Sequence, residues 1–216
     1  MNLKAVIFDF DGLLVDTEIV SYRIYKELLK PYGCSFEMKE YSDHYSGKTE
    51  INNVTQLIEN YDLDWSIEEG LDRVLEKEKE ILSEGVELKK GARELLSYLK
   101  QNKYLTAIAT SSTKDRAMDI LEDNGIADLF DEFVFAEDIQ RSKPDPEVFL
   151  KAAEKLKAKP EECLVLEDSQ TGIEAAVRAH MSVICIPDMK KPDDEHLKQT
   201  IAVKEDLLSV IDFLQQ

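Results

Sequence analysis

Two aspartates two residues apart, Asp9 and Asp11, close the apolar run Ala5-Val6-Ile7-Phe8 and lead into Gly12. A run that is apolar at every position reads as a central strand covered on both faces, so its last residue emerges at the middle of a sheet edge. Side chains at i and i+2 of an extended chain share a face, and the glycine lets the backbone turn beneath them. Carboxylates that close repel unless a cation or a shared proton lies between them. A second acidic pair, Glu167-Asp168, ends another apolar run, Cys163-Leu164-Val165-Leu166. Strand ends of one parallel sheet meet at a common edge, so Asp9, Asp11 and Asp168 can converge there. An all-oxygen set of carboxylate, backbone carbonyl and water suits Mg²⁺, and no histidine or thiolate near these motifs suggests Zn²⁺.

Two further strand ends carry the complementary groups. Thr110 closes Leu105-Thr106-Ala107-Ile108-Ala109 and is followed by Ser111 and Ser112. These supply hydroxyl and backbone donors ahead of a helix whose N-terminus favours an anion. Lys143 lies in Arg141-Ser142-Lys143-Pro144-Asp145-Pro146, where two prolines stiffen the loop and lower the entropy cost of holding an ammonium in place. Each feature alone has an ordinary reading: a capping Asp pair, a capping Thr-Ser-Ser, a solvated lysine. In this order, each after a strand, they read as a phosphate site beside a hard cation.

The elements that position them are five strand-like runs, Lys4–Phe8, Leu105–Thr110, Glu132–Phe135, Cys163–Leu166 and Val183–Ile186. Helical patterns at Arg93–Leu99, Arg116–Asn124, Val148–Leu156 and Ile173–Arg178 separate the later ones, which implies a parallel sheet covered on both faces. Asp145-Pro146 reads as a helix start, Asn124-Gly125 as a helix stop, and Glu205–Leu214 as a closing core helix with Leu207, Leu208, Ile211 and Leu214 on one face. Far more chain than a crossover needs separates the first strand from the second, and it reads as helical near Glu18–Leu29, Glu50–Asn60 and after Ser66. Ser66 with Glu69 forms a capping-box signature, and Ile67, Leu71, Val74, Leu75, Ile81 and Leu82 mark an apolar face. The expected organisation is an α/β core of residues 1–16 and 84–216 with an inserted helical cap of residues 17–83, emerging where ligands bind open parallel sheets and so able to serve as a lid.

The composition bounds the partners. The 216 residues are 43 % apolar and 33 % charged, with a formal net charge of −18. Such a surface repels nucleic-acid backbones and anionic membranes, which argues against either as the main partner of the chain, while a small phosphorylated metabolite, the partner the motifs imply, needs only a few local donors and a cation. The opening residues do not read as a signal peptide, and no apolar stretch approaches the roughly 20 residues of a membrane span. Cys34, Cys163 and Cys185 lack metal-site spacing and read as thiols of a reducing cytoplasm. Trp65 reads as a cap-core residue, His44 and the Lys190-Lys191 pair as surface groups, and His180 and His196 as structural or solvated. A monomer is the default state.

The motifs together closely resemble those of the haloacid dehalogenase-like hydrolase superfamily, in its phosphatase and β-phosphoglucomutase-like group with a helical cap after the first motif. Asp9-Phe10-Asp11-Gly12-Leu13-Leu14-Val15-Asp16-Thr17 is similar to the first motif, Thr110 to the second, Lys143 to the third, and Glu167-Asp168-Ser169 with Gln170-Thr171-Gly172 to the fourth. The resemblance implies a Rossmann-like sheet of order 5-4-1-2-3. It also implies an Mg²⁺-dependent enzyme in which Asp9 is the nucleophile and forms an aspartyl-phosphate, and Asp11 is the acid and base. Asp9, the Asp11 carbonyl, Asp168 and Glu167 would hold the metal, while Thr110 and Lys143 would contact the transferring phosphoryl group. Gly47 resembles the glycine of the cap's specificity loop, with Lys48 beside it. Ser111, Ser112 and Lys114 are further candidates for contact with the substrate.

The same resemblance leaves a hydrolase and a sugar-phosphate mutase open. The mutase has a histidine where this chain has Ser21 and an arginine where it has Glu50. That arginine holds a second phosphate, which an acid would repel. The preferred reading is therefore a phosphatase acting on a small sugar phosphate, sugar-acid phosphate or nucleotide, with the mutase as alternative. Asp11 argues against a dehalogenase.

Overall fold

The computed structural model describes residues 2–215. The chain divides into two compact units: Thr17–Val86 is one, and the residues up to Asp16 together with those from Glu87 onward form the other.

The first unit holds four helices, α1 Thr17–Leu29, α2 Met38–His44, α3 Glu50–Tyr61 and α4 Ile67–Leu82. Ser66 starts α4 through a complete capping box, its hydroxyl accepting from the Glu69 amide at 3.1 Å and the Glu69 carboxylate from the Ser66 amide at 2.8 Å. The buried stripe of α4 is narrower than its apolar residues suggest. Gly70, Val74 and Ile81 are buried, whereas Ile67 and Leu75 are exposed. Gly70 lies against Val54 and Trp65, so its missing side chain allows α3 and α4 to approach closely. Trp65 donates its Nε1–H to the Tyr32 hydroxyl at 2.8 Å inside this unit. The short helix α2 has no counterpart in the sequence reading, because its mostly polar residues lack an apolar period.

The second unit is built on six parallel strands: β1 Ala5–Phe8, β2 Leu105–Ala109, β3 Glu132–Val134, β4 Cys163–Glu167, β5 Ser182–Cys185 and β6 Ala202–Val203. Their order is β3-β2-β1-β4-β5-β6. The five expected strands thus lie in the expected sequence, and β6 corrects the count by extending the sheet beyond β5. Ile201 and Lys204 donate their amides to Val183 and Cys185 and so pair the edge of β5. A two-residue strand carries no alternation, which is why no pattern marks it. Around the sheet lie α5 Ala92–Gln101, α6 Lys114–Asp123, α7 Glu147–Lys155, α8 Gln170–Arg178, α9 Asp194–Leu197 and α10 Leu208–Leu214. The last helix begins later than expected; Leu207 and Val210 are its buried anchors and Leu208 is exposed. Cys163 and Cys185 are buried free thiols, and Cys34 is half-buried. No helix among the described residues is long and apolar enough to cross a membrane.

Every residue of β1 is fully buried. On one face Ala5, Ile7, Ala107, Ala109, Cys163 and Val165 pack with Val148, Phe149 and Ala152 of α7 and Ile173 and Ala176 of α8. Burying a large apolar side chain of this kind contributes about 1.5–3 kcal/mol, enough for the layer to fix register. Phe8 lies level with Ile108 and Leu166. One step on, Asp9 stands level with Glu167 on the adjacent strand, and residues level in parallel strands point to the same side.

Candidate active site

The turn after β1 is made possible by Gly12. Its φ is +80°, its N–H bonds the Val15 carbonyl at 3.0 Å, and a Cβ there would lie 2.7 Å from Asp168 Oδ2 and 3.2 Å from Asp188 Oδ2. Any other residue would be strained in its backbone and would push into both carboxylates.

Asp9 is anchored by its N–H to the Leu166 carbonyl at 3.0 Å, and only 8 % of it is exposed. The Lys143 ammonium arrives from the loop before α7, where the Asp145 carboxylate accepts the Glu147 amide at 3.0 Å and Pro146 immediately precedes the helix. It bridges Asp9 Oδ1 and Glu167 Oε1, the latter at 2.7 Å, and lies 4.8 Å from the centre of the Phe149 ring. Glu167 is completely buried. Its second oxygen accepts the amides of Asp168 and Ser169 at 2.9 and 2.8 Å and the Ser169 hydroxyl at 2.9 Å. A side chain at Gly172 would overlap the Glu167 carboxylate, so that glycine opens the space it occupies.

Burial raises Asp9 to about 7, with Lys143 pulling it down and Glu167 pushing it up. Burial also works against the Lys143 ammonium, but Asp9 and Glu167 outweigh it and hold Lys143 charged, above its usual value. Asp168 is raised well above the carboxylate range by burial, then by Glu167 and Asp9. Asp9, Glu167 and Asp168 each present an oxygen within 4.8 Å of the others. With all three carboxylates ionised, one ammonium leaves two negative charges in a buried site, and the raised values of Asp9 and Asp168 are the response to that burial and that excess when no cation is bound. That donor set, all oxygen and short of positive charge, fits a divalent hard cation.

The side chain of Asp11 belongs to a second group. It accepts from the Ser112 hydroxyl and from Arg116, whose guanidinium bonds Asp11 at 2.7 Å and Ser112 Oγ at 2.8 Å. Thr110, 1 % exposed, accepts the Ser112 amide on its hydroxyl at 2.9 Å. Ser111 is exposed. The Lys114 amide at the start of α6 donates to both oxygens of Glu137 at 3.1 Å, so this helix terminus is met by an acid of the chain itself. Gly47 and Lys48 belong to the helical unit, where Gly47 adopts φ +71° and Lys48 bonds Gln56 at 2.9 Å. His44 and His180 are exposed, and His196 sits beside the Asp193 cap of α9 at 2.7 Å.

Arg116 and Asp188 escaped the sequence reading. Arg116 stands in the first turn of α6, where side chains lean back toward the helix start and hence toward the strand ends. Asp168 directly follows β4, whereas Ile186 and Pro187 separate Asp188 from β5, so a reading confined to the residue that ends each strand passes over it.

The family model described as haloacid dehalogenase-like hydrolase matches residues 6–186. The chain therefore belongs to the haloacid dehalogenase-like hydrolase family. It is 34 % identical to a phosphorylated carbohydrates phosphatase of Thermotoga maritima over 82 % of either chain. It is also 34 % identical to the "Probable pseudouridine-5′-phosphatase" of Drosophila melanogaster, over 91 % of this chain and 87 % of that one. A Thermotoga maritima crystal structure described as a candidate β-phosphoglucomutase superposes with a TM-score of 0.86 at 29 % identity, covering 99 % of each chain. Relatives of this kind support a phosphatase role.

Proposed function

We propose that the protein is an Mg²⁺-dependent phosphatase that hydrolyses a small phosphate monoester through a phosphorylated Asp9. The observation that carries this reading is the charge balance at the strand ends, where Lys143 bridges Asp9 and Glu167 and Asp168 adds a third carboxylate oxygen within 4.8 Å of theirs. Asp9, the Asp11 carbonyl and Asp168 would hold the cation. Glu167, whose oxygens already serve Lys143 and two backbone amides, would act by fixing Lys143 and by lying within reach of the metal. When bound, Mg²⁺ supplies Lewis-acid neutralisation of the phosphoryl oxygens and of the Asp9 charge.

In this reading the Asp9 carboxylate attacks phosphorus in line, the ester P–O bond breaks, and Asp11 gives its proton to the departing oxygen. Asp11, again a carboxylate, takes a proton from the water that attacks phosphorus next, which releases inorganic phosphate and restores Asp9. Thr110 already accepts the Ser112 amide on its hydroxyl oxygen, so its own proton is available to a phosphoryl oxygen. Lys143 offsets the charge that gathers on that group.

The substrate class is a sugar phosphate, a sugar-acid phosphate or a nucleotide. The relatives' names, with their carbohydrate phosphates and pseudouridine phosphate, support that breadth. The alternative, a sugar-phosphate mutase, draws on the likeness to the Thermotoga maritima structure described as a candidate β-phosphoglucomutase. Against it stands Glu50, which accepts the Tyr25 hydroxyl at 2.8 Å and offers no positive charge for a second phosphate. The reading takes the protein as a cytoplasmic monomer without nucleic-acid or membrane partners. A panel of phosphate esters with Mg²⁺, including glucose 1-phosphate with and without trace bisphosphate, tests it. Phosphate release abolished by chelator is the expected result; glucose 6-phosphate without free phosphate would establish the mutase.

A further inference from the structure

Asp188 is a buried carboxylate that the reaction above leaves without a task. Its side chain is only 9 % exposed, and its Oδ1 takes the Lys89 ammonium at 2.5 Å. The other oxygen, Oδ2, is buried with no hydrogen-bond partner, one of two such side-chain oxygens among the described residues. A buried acceptor left unpaired costs about 1–3 kcal/mol, so its persistence calls for a reason. The position supplies one. The space that a Cβ of Gly12 would fill lies 2.7 Å from Asp168 Oδ2 and 3.2 Å from Asp188 Oδ2, so both oxygens border the same recess at the end of β1. Lys89 also reaches Asp16 at 3.3 Å, and its backbone amide bonds the Leu14 carbonyl at 2.9 Å. One oxygen of Asp188 is thereby held by Lys89, and the other borders the recess that Asp168 Oδ2 also borders.

We propose that Asp188 is an outer ligand of the cation site, its Oδ2 accepting a hydrogen bond from water in the hydration shell of the ion that Asp9 and Asp168 hold, with Lys89 fixing its orientation. Mg²⁺ usually keeps several of its waters, and these need oriented acceptors. Groups of this second layer typically change metal affinity by roughly 10- to 100-fold when altered. The inference rests on the cation reading of the site and adds a positioning residue to it.

Asp188→Asn is the direct test, because Lys89 needs an acceptor and so turns the amide nitrogen into the place of Oδ2, a donor where an acceptor is required. Mg²⁺ alone is titrated into the full-length protein, and the rise in melting temperature gives an apparent affinity without any turnover. The parent is expected to bind, and Asp188→Asn to bind roughly 10- to 100-fold more weakly while its metal-free melting temperature is unchanged or higher. Should Asp188→Asn fold poorly, Lys89→Met leaves the carboxylate intact but unanchored and is expected to weaken Mg²⁺ severalfold. Equal Mg²⁺ affinity in the parent and the altered proteins overturns the role of Asp188 and leaves the cation reading standing. A parent whose melting temperature ignores Mg²⁺ overturns both.

Discussion

The two units of this chain use carboxylates in opposite ways. In the helical unit acids and phenols satisfy one another in part-buried pairs: Tyr25 donates to Glu50 at 2.8 Å, Tyr41 to Glu18 at 2.6 Å and Tyr61 to Glu40 at 2.6 Å. Each pair is one neutral donor on one acid, and burial together with the acid raises the tyrosines above their usual range. In the sheet unit three carboxylates crowd one ammonium at the strand ends. A net charge of −18 over the whole chain says little about either. Local balance separates them: acids matched by hydroxyls hold a fold together, whereas acids that outnumber their cations mark a place where something else must bind.

Lys143→Met should break the contrast most severely. It leaves Asp9 and Glu167 buried without their shared cation, and the metal-free protein should lose about 3–5 kcal/mol in denaturant unfolding. Phosphate release should fall by about 10²–10³-fold. Gly172→Ala attacks the same region by volume, since the new methyl overlaps the Glu167 carboxylate. A loss of about 1–3 kcal/mol is expected, with Mg²⁺ affinity reduced alongside.

A smaller and reversible perturbation is pH. Asp9 titrates near 7 in the folded metal-free protein, raised by burial above the ordinary carboxylate value. The folded state then binds more protons than the unfolded one between about 4 and 7, so this group's contribution to stability declines as pH rises through that window. Protons and Mg²⁺ compete for Asp9 and for Asp168, which burial also raises, and apparent Mg²⁺ affinity from melting temperatures should fall by about tenfold or more for each pH unit below 7. Tyr25→Phe, in the helical unit, should do least: about 1 kcal/mol of stability, with Mg²⁺ affinity untouched.

Much of this contrast was legible in the residues themselves. The runs of β1 and β4 are apolar up to the acids that close them, so their burial and the nearness of Asp9 to Asp168 follow from a parallel sheet, whereas Glu167 standing beside Asp9 while the Asp11 side chain turns to Ser112 and Arg116 depends on register and on the turn. Features that depend on approach across the fold were not legible. Arg116 comes to Asp11 across more than a hundred positions, and Asp188 matters only because Gly12 leaves room between it and Asp168. Short elements were hard to read for another reason: β6 has two residues and left no signal, while α10, expected over Glu205–Leu214 with Leu208 on its inner face, has seven, too few for a period to tell that Val210 faces inward and Leu208 outward.

The central claim, that Asp9 receives the phosphoryl group, is tested most directly by Mg²⁺-dependent phosphate release from the best substrate of the panel, measured for the parent and for Asp9→Asn. The variant keeps the shape of the side chain and removes its nucleophilic charge. A loss of about 10⁴-fold or more, with the fold retained, is the predicted result. Release by Asp9→Asn at the parent's rate would contradict the account.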